Sequence, residues 1–277
     1  MSNLAHEPLI IMVAPNGARR NHQDHVALPV TIDATVASAL ACQQEGASIL
    51  HAHIRDQQGK HSLDAGIYSE LLAEMASRVP NMLVQITTEA VGQYSASQQM
   101  NLVTKLCPQM ASVALRELVP NSASEAGAKR FFSWAGEAQV QLQIILYDGA
   151  DVARLMRLRQ AGVIGIKHNC VLYVLGRYSE NLLAEPKELQ AFLTLENQDT
   201  GTWFACAFGQ QEHACMVSAI NQGGHARVGF ENNLWLPTGE LAPGNQTLVS
   251  QVAAYALGQG REVATAQQAG LMLGVRP

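Results

Sequence analysis

Eight short β-like runs, separated by stretches of helical character, constrain this chain more than any other feature. The runs are Leu9–Ala14, Ser48–Ile54, Met82–Thr88, Ala111–Leu115, Leu142–Tyr147, a run around Cys170–Leu175, Trp203–Phe208 and Ala226–Phe230. Several are continuously apolar, as strands covered on both faces should be. Most of the intervening segments have helical periodicity. In the first, Ile32–Glu45, the residues Val36, Leu40 and Ala41 share a face, Thr31 is placed to cap the start and Gly46 suits the exit. The runs recur at the pitch of a βα unit, and eight such units predict an α/β fold, a (β/α)8 TIM barrel forming one domain over residues 1–277. An open doubly wound sheet is the competing architecture, but the first βα turn, APNGAR, lacks its GxGxxG pattern. In the sixth unit both Val163–Ile166 and Cys170–Leu175 read as strand.

A barrel needs a large core, and 277 residues at 48% hydrophobic and 15% charged can supply it. A formal charge of −5 offers no basic surface, which argues against nucleic acid as a partner. No window reaches the roughly 18 apolar residues of a membrane span, so no membrane association is expected. The cysteines Cys42, Cys107, Cys170, Cys206 and Cys215 show no CxxC spacing. An odd count without a secretory leader predicts a reducing compartment, the cytoplasm.

Two clusters carry the chemistry. HAHIRD at 51–56 closes an apolar run, and residues two apart on a strand point the same way, so His51 and His53 aim together. At the C-terminal end of a barrel strand they face the mouth, where barrel active sites lie. Two neutral imidazoles are half of a zinc site, which needs a further protein ligand and an open position. GGHARVGFENN at 223–233 ends the eighth run, and alternation places Arg227 and Glu231 on one face. Barrel closure sets the eighth strand beside the first, so Glu231 can reach the two histidines and complete a His2Glu set. Asp56 is a candidate to orient a zinc-bound histidine, or else an ion-pair partner of Arg55. The histidines His22, His25, His61, His168, His213 and His225 lack partners at metal spacing.

With these clusters placed, the chain resembles the β-keto acid cleavage enzymes nearly end to end. The resemblance runs through EPLIIMVAPNGA (7–18), ALPVT (27–31), GASILHAHIRD (46–56), LVQITTEA (83–90), YVLG (173–176), TWFACAFG (202–209) and, most specifically, GGHARVGFENN. It implies zinc held by His51, His53 and Glu231, and acetyl-CoA as co-substrate. A small-molecule β-keto acid is the other substrate, with acetoacetate and a new acyl-CoA as products. It also implies that Thr87 occupies a carboxylate-binding position, with Ser112 as another, and that the protein is a homo-oligomer, a dimer or tetramer.

Three departures from the family pattern bear on mechanism. The aspartate that follows the zinc glutamate, and works with the arginine four before it to deprotonate substrate, is here Asn232, although that arginine is present as Arg227. An amide cannot accept the proton. A glutamate usual on strand 5 is replaced by Ile145, and the Asn-x-Gly usual after strand 4 reads Ala114–Leu115–Arg116. Arg19 stands where the amino-acid-cleaving member has a glutamate for the substrate ammonium, so a keto acid with an uncharged or anionic far end is expected. Charged residues after the predicted strand ends, Arg116, Glu117, Arg177 and Glu212, are candidates to ring the mouth. Glu117 and Glu212 are the favoured replacement bases, with Glu89 a weaker third. A zinc-dependent barrel hydrolase and a metal-binding barrel without catalysis are the alternative readings.

Overall fold

The structure, a computed structural model, describes residues 7–194 and 201–275. At its centre is a closed barrel of parallel strands: β1 (Ile11–Val13), β2 (Ile49–Ala52), β3 (Leu83–Thr87), β4 (Met110–Ala114), β5 (Gln141–Leu146), β6 (Cys170–Leu175), β7 (Thr202–Ala207) and β8 (His225–Val228). Each strand pairs with the next, and β8 closes onto β1 with Ile11 opposite Ala226 and Val13 opposite Val228. The helices between them are α1 (Ile32–Gln44), α2 (Ala65–Arg78), α3 (Ala96–Leu106), α4 (Glu125–Glu137), α5 (Gly149–Gln160), α6 (Gln190–Leu193), α7 (Glu212–Asn221) and α8 (Asn245–Gly258), with α9 (Ala266–Leu273) at the end. The (β/α)8 expectation holds.

Alternation along each strand divides the core in two. Ile11, Val13, Leu50, Ile86, Ala111 and Val113 pack outward with the helices, while Ile10, Met12, Ile49, Met110, Leu172 and Phe204 fill the barrel. Ala269 and Leu273 of α9 join the interior group, closing the end where the strands begin. The C-terminal strand ends are therefore left to form the mouth. Thr31 caps α1 as expected, its side chain accepting from the Ala34 N–H, and Gly46 follows with φ +109°.

Four details resolve or revise the sequence expectation. Cys170–Leu175 is the sixth strand, whereas Val163 and Ile164 are buried in the turn after α5 and Ile166 is exposed. The helix of that unit is one turn long, preceded by a 3-10 turn at Pro186–Leu189. Leu115 leaves the strand and opens a single-turn helix, Leu115–Leu118, which carries Arg116 and Glu117. The eighth strand stops at Val228, so Gly229, Phe230 and Glu231 lie in a turn rather than alternating along a strand.

Candidate active site and metal centre

His51 is on β2 and His53 immediately follows it, both with almost no exposed surface. Their Nε2 atoms lie 3.3 Å apart. Oε2 of Glu231 lies 3.5 Å from Nε2 of His51 and 3.3 Å from Nε2 of His53. Donors about 2.0–2.1 Å from a tetrahedral zinc stand about 3.3–3.4 Å from one another, so this triangle has the right size. Its chemistry is also right. Oε2 of Glu231 is buried without a hydrogen bond, an arrangement costly unless a cation meets it. Burial first, and then the Arg227 charge, lower the His51 pKa to about 3, leaving a neutral imidazole able to donate a lone pair. Burial alone would raise Glu231, but Arg227, with the two histidines, holds it well below the usual carboxylate range.

The tautomer of His51 is set from below. Its Nδ1 is 2.7 Å from Oε1 of Gln85, so Nδ1 carries the proton and Nε2 faces the site. Nε2 of Gln85 donates to Oε1 of Gln143 at 3.2 Å, and Gln143 donates to the Cys170 sulfur at 3.5 Å. This amide relay crosses the barrel interior from β2 to β6. Gln85 was missed by motif reasoning; the available signal was a lone amide inside the apolar run LVQIT.

Glu231 is aimed by its turn. Gly229 has φ +137°, and a Cβ there would lie 2.4 Å from the Ala14 carbonyl oxygen, so only glycine fits. A Cβ on Gly17 would lie 2.6 Å from Cγ of Glu231. The Glu231 N–H donates to the Ala14 carbonyl, and Arg20 donates to the Phe230 and Asn232 carbonyls. Arg227 donates to Oε1 of Glu231 at 2.9 Å, turning the other oxygen toward the histidines. The turn therefore brings Arg227 and Glu231 together, where strand alternation was expected to.

The cavity over these groups has a volume of about 210 Å³. Arg19, Thr87, Arg227, His51, His53 and Glu231 line it, as the sequence predicts. Oγ1 of Thr87 accepts from the Glu89 N–H at 3.2 Å. Several other candidates are placed elsewhere. Ser112, the register partner of Thr87, is buried, its hydroxyl has no hydrogen-bond partner, and it does not line the cavity. Arg116 is drawn away by Asp151 at 2.7 Å and Asp148 at 2.9 Å, and lies against the Tyr147 and Tyr178 rings. Glu117 is raised by burial, and its Oε2 accepts from the Ala90 N–H. Glu212 is buried behind the turn, where its oxygens accept from the Gly229 N–H and the Asn233 amide. Neither glutamate is among the residues that line the cavity. Asn232 is fully buried, its side-chain oxygen 3.4 Å from Arg227. Asp56 accepts from the Gln58 and Lys60 N–H groups and so shapes the loop rather than a histidine, while Arg55 binds the carbonyls of Gly17, Ala18, Arg20 and Gly59.

Glu89, ranked third from sequence, is the carboxylate that does line the cavity beside Glu231. Oε1 pairs with Arg19 at 2.9 Å, and Oε2 is 3.9 Å from Nδ1 of His53. His61, unassigned from sequence, has Nε2 2.9 Å from the Glu89 carbonyl and anchors that backbone. In all, four arginines (Arg19, Arg20, Arg177 and Arg227) and two glutamates line the cavity, an excess of positive charge.

The chain is also similar to known proteins. The family model for beta-keto acid cleavage enzymes matches residues 8–275. The 3-oxoadipate:acetyl-CoA acetyltransferase of Cupriavidus necator is 29% identical over 277 residues, covering 97% of this chain and 95% of that protein. The 3-keto-5-aminohexanoate cleavage enzyme of Fusobacterium nucleatum is 28% identical over 278 residues, covering 98% of this chain and 99% of the other. Among solved structures, ObcA in a ternary complex with a C4-CoA adduct and oxalate has a TM-score of 0.73 at 16% identity, over 90% of this chain and 68% of that one, a likeness of fold. Among the described residues no helix is long and apolar enough to cross a membrane.

Proposed function

Because the chain belongs to the beta-keto acid cleavage enzyme family, and is an acetyl-CoA-dependent carbon–carbon bond-cleaving transferase of that type, we propose that it works with zinc held by His51, His53 and Glu231 on a β-keto acid without a cationic far end. The observation that carries this reading is the convergence of three donor atoms at tetrahedral spacing in a cavity lined by arginines. Zinc bound there supplies a Lewis acid for the keto oxygen and a positive charge beside the developing enolate.

The residues of the chain do the rest. Thr87 is available to hydrogen-bond the substrate carboxylate, and Arg227 keeps Glu231 ionised and oriented. Glu89 takes the proton from C2, since Asn232 cannot and the other candidate carboxylates point elsewhere. The C2 carbanion then attacks the acetyl carbonyl of acetyl-CoA, and the coenzyme leaves as thiolate. The C2–C3 bond breaks as the thiolate takes the remaining acyl group, and the C2 carbanion is reprotonated as acetoacetate. Substrate plus acetyl-CoA thus becomes acetoacetate plus a new acyl-CoA, with no oxidant or water consumed.

The substrate's charge follows from the lining. Arg19, paired with Glu89, adds to an electropositive cavity that disfavours an ammonium group and favours carboxylates. The related C. necator enzyme is named for an anionic substrate, 3-oxoadipate, which is consistent with this preference. We place the protein in the cytoplasm as a homo-oligomer, a dimer or tetramer, and light scattering reads the latter. The functional test is a screen of neutral, acidic and amino-bearing β-keto acids with acetyl-CoA, following acetoacetate. Acetoacetate from the neutral or acidic compounds is expected. Preference for the amino-bearing compound, or coenzyme A release without acetoacetate, overturns the reading.

A further inference from the structure

Three of the four cavity arginines are committed to the protein. Arg19 pairs with Glu89, Arg20 holds the carbonyls of Phe230 and Asn232, and Arg227 pairs with Glu231. Arg177, just after β6, is different. Among the described residues it has no hydrogen bond or ion pair. Its guanidinium carbon lies 5.4 Å from the Phe208 ring centre and 5.7 Å from that of Tyr178. A guanidinium held against rings by cation–π contact keeps its N–H edge free for a planar anion. Glu117, a carboxylate whose ionisation Arg177 favours, has Oε2 engaged with the Ala90 N–H.

The surroundings give this free cation a direction. Ile145, Val174, Leu182 and Phe208 line the cavity with carbon on the same side as Arg177. In an eight-strand circle β5 and β6 stand across from β1 and β2, so this wall faces the metal donors. A ligand reaching from one to the other needs a polar keto end, an apolar middle and an anionic tip. A half-buried cation among carbon atoms also favours a partner that binds it bidentately.

We infer that Arg177 is a specificity-determining anion subsite, which receives the far-end carboxylate of a dicarboxylic β-keto acid whose keto group lies at the His51–His53–Glu231 centre. This assignment rests on the activity proposed above. The same oxyanion chemistry is offered by the carboxylate next to the keto group and by the phosphates of coenzyme A, so the test separates the three.

The substrates are 3-oxoadipate and 3-oxohexanoate, one six-carbon chain with and without the far carboxylate. Each is assayed with acetyl-CoA on wild type, Arg177→Gln and Arg177→Lys. Wild type is expected to prefer 3-oxoadipate. In Arg177→Gln the ratio of the two kcat/KM values falls about 10²-fold toward the neutral compound, and Arg177→Lys restores part of it. An unchanged ratio overturns the inference. With equal losses on both acids it assigns Arg177 to the shared carboxylate, and with a raised KM for acetyl-CoA it assigns Arg177 to the coenzyme phosphates. Calorimetry with adipate and hexanoate reads the subsite without turnover. Preference for adipate in wild type, erased in Arg177→Gln, supports it, and no such preference overturns it. Failure of wild type to make acetoacetate from either acid would count against the proposed activity alone, with the subsite decided by adipate binding.

Discussion

The two sides of the mouth are built on opposite principles. Toward β1, β2 and β8 the side chains that aim the metal donors are tied to protein partners. His51 is tied to Gln85, Arg227 to Glu231, and Arg20 to the turn carbonyls, while Gly17 and Gly229 leave no room for a Cβ. Across the barrel, on β5, β6 and the residue after β7, the wall is Ile145, Val174 and Phe208, with Arg177 uncommitted. The first wall is preorganised for one geometry, so its residues are coupled and hard to exchange. The second wall holds its shape by packing, and its side chains can change without moving the metal donors. Ile145, which departs from the family pattern, stands on this second side. On the proposed function, the rigid wall holds the metal donors, while substrate choice is shared between Arg19 and the opposite wall.

The largest effect should come from the rigid wall. His51→Ala with His53→Ala removes two of three donors, so stoichiometric zinc and all measurable turnover should be lost while circular dichroism stays native. Elemental analysis checks this, and a zinc per chain in the double variant would reject the site. Next is Glu89→Gln, expected to lower kcat by about 10²–10⁴ with zinc content unchanged. A comparable drop in Glu117→Gln, with Glu89→Gln near normal, would return the base to the loop after β4.

A smaller effect tests the relay beneath the metal. Gln85→Leu frees the His51 tautomer and should weaken zinc binding about 10- to 100-fold, read by chelator competition. Unaltered affinity would show that His51 needs no such support.

A separate effect, on stability rather than turnover, concerns Glu212, which props the Glu231 turn. Burial raises its pKa to about 8, against the opposing influence of Asn233, the Gly229 N–H, Arg20 and Arg227. The folded value lies above the ordinary 4.5, so the folded state binds this proton more tightly than the unfolded chain. The resulting stability is fully present below pH 4.5 and is lost as pH rises through about 8. Glu212→Gln lacks that loss, so its stability relative to wild type should improve on going from about pH 5 to about pH 9, by on the order of a few kcal/mol. Urea unfolding at both pH values measures it, and a pH-independent difference contradicts the assignment.

Much of this was legible in the sequence because it depends on periodicity. Continuous apolar runs announced covered parallel strands, and the two-residue spacing of His51 and His53 announced a shared direction. The charged loop residues were less legible for a definite reason. Position after a strand end places a residue near the mouth, but local partners decide where its side chain goes. Arg116 turns to Asp148 and Asp151, and Glu212 turns back to Gly229 and Asn233. Those partners are distant in sequence or are backbone groups exposed by a turn, and no spacing rule reveals them. The place of Glu89 in the cavity was hard to read because it depends on Arg19 and His53, which follow other strands. Gln85 was missed because a single amide in an apolar strand has meaning only once the barrel closes around it.

The central claim is that the rigid wall transfers the acetyl group of acetyl-CoA onto C2 of a β-keto acid. The most direct measurement follows carbon through the reaction, using acetyl-CoA labelled with 13C in both acetyl carbons and unlabelled 3-oxoadipate. The account predicts acetoacetate labelled at C3 and C4 together with an unlabelled new acyl-CoA, formed by wild type and not by the His51→Ala, His53→Ala variant. Label at C1 and C2 of acetoacetate, or labelled free acetate in its place, would contradict it.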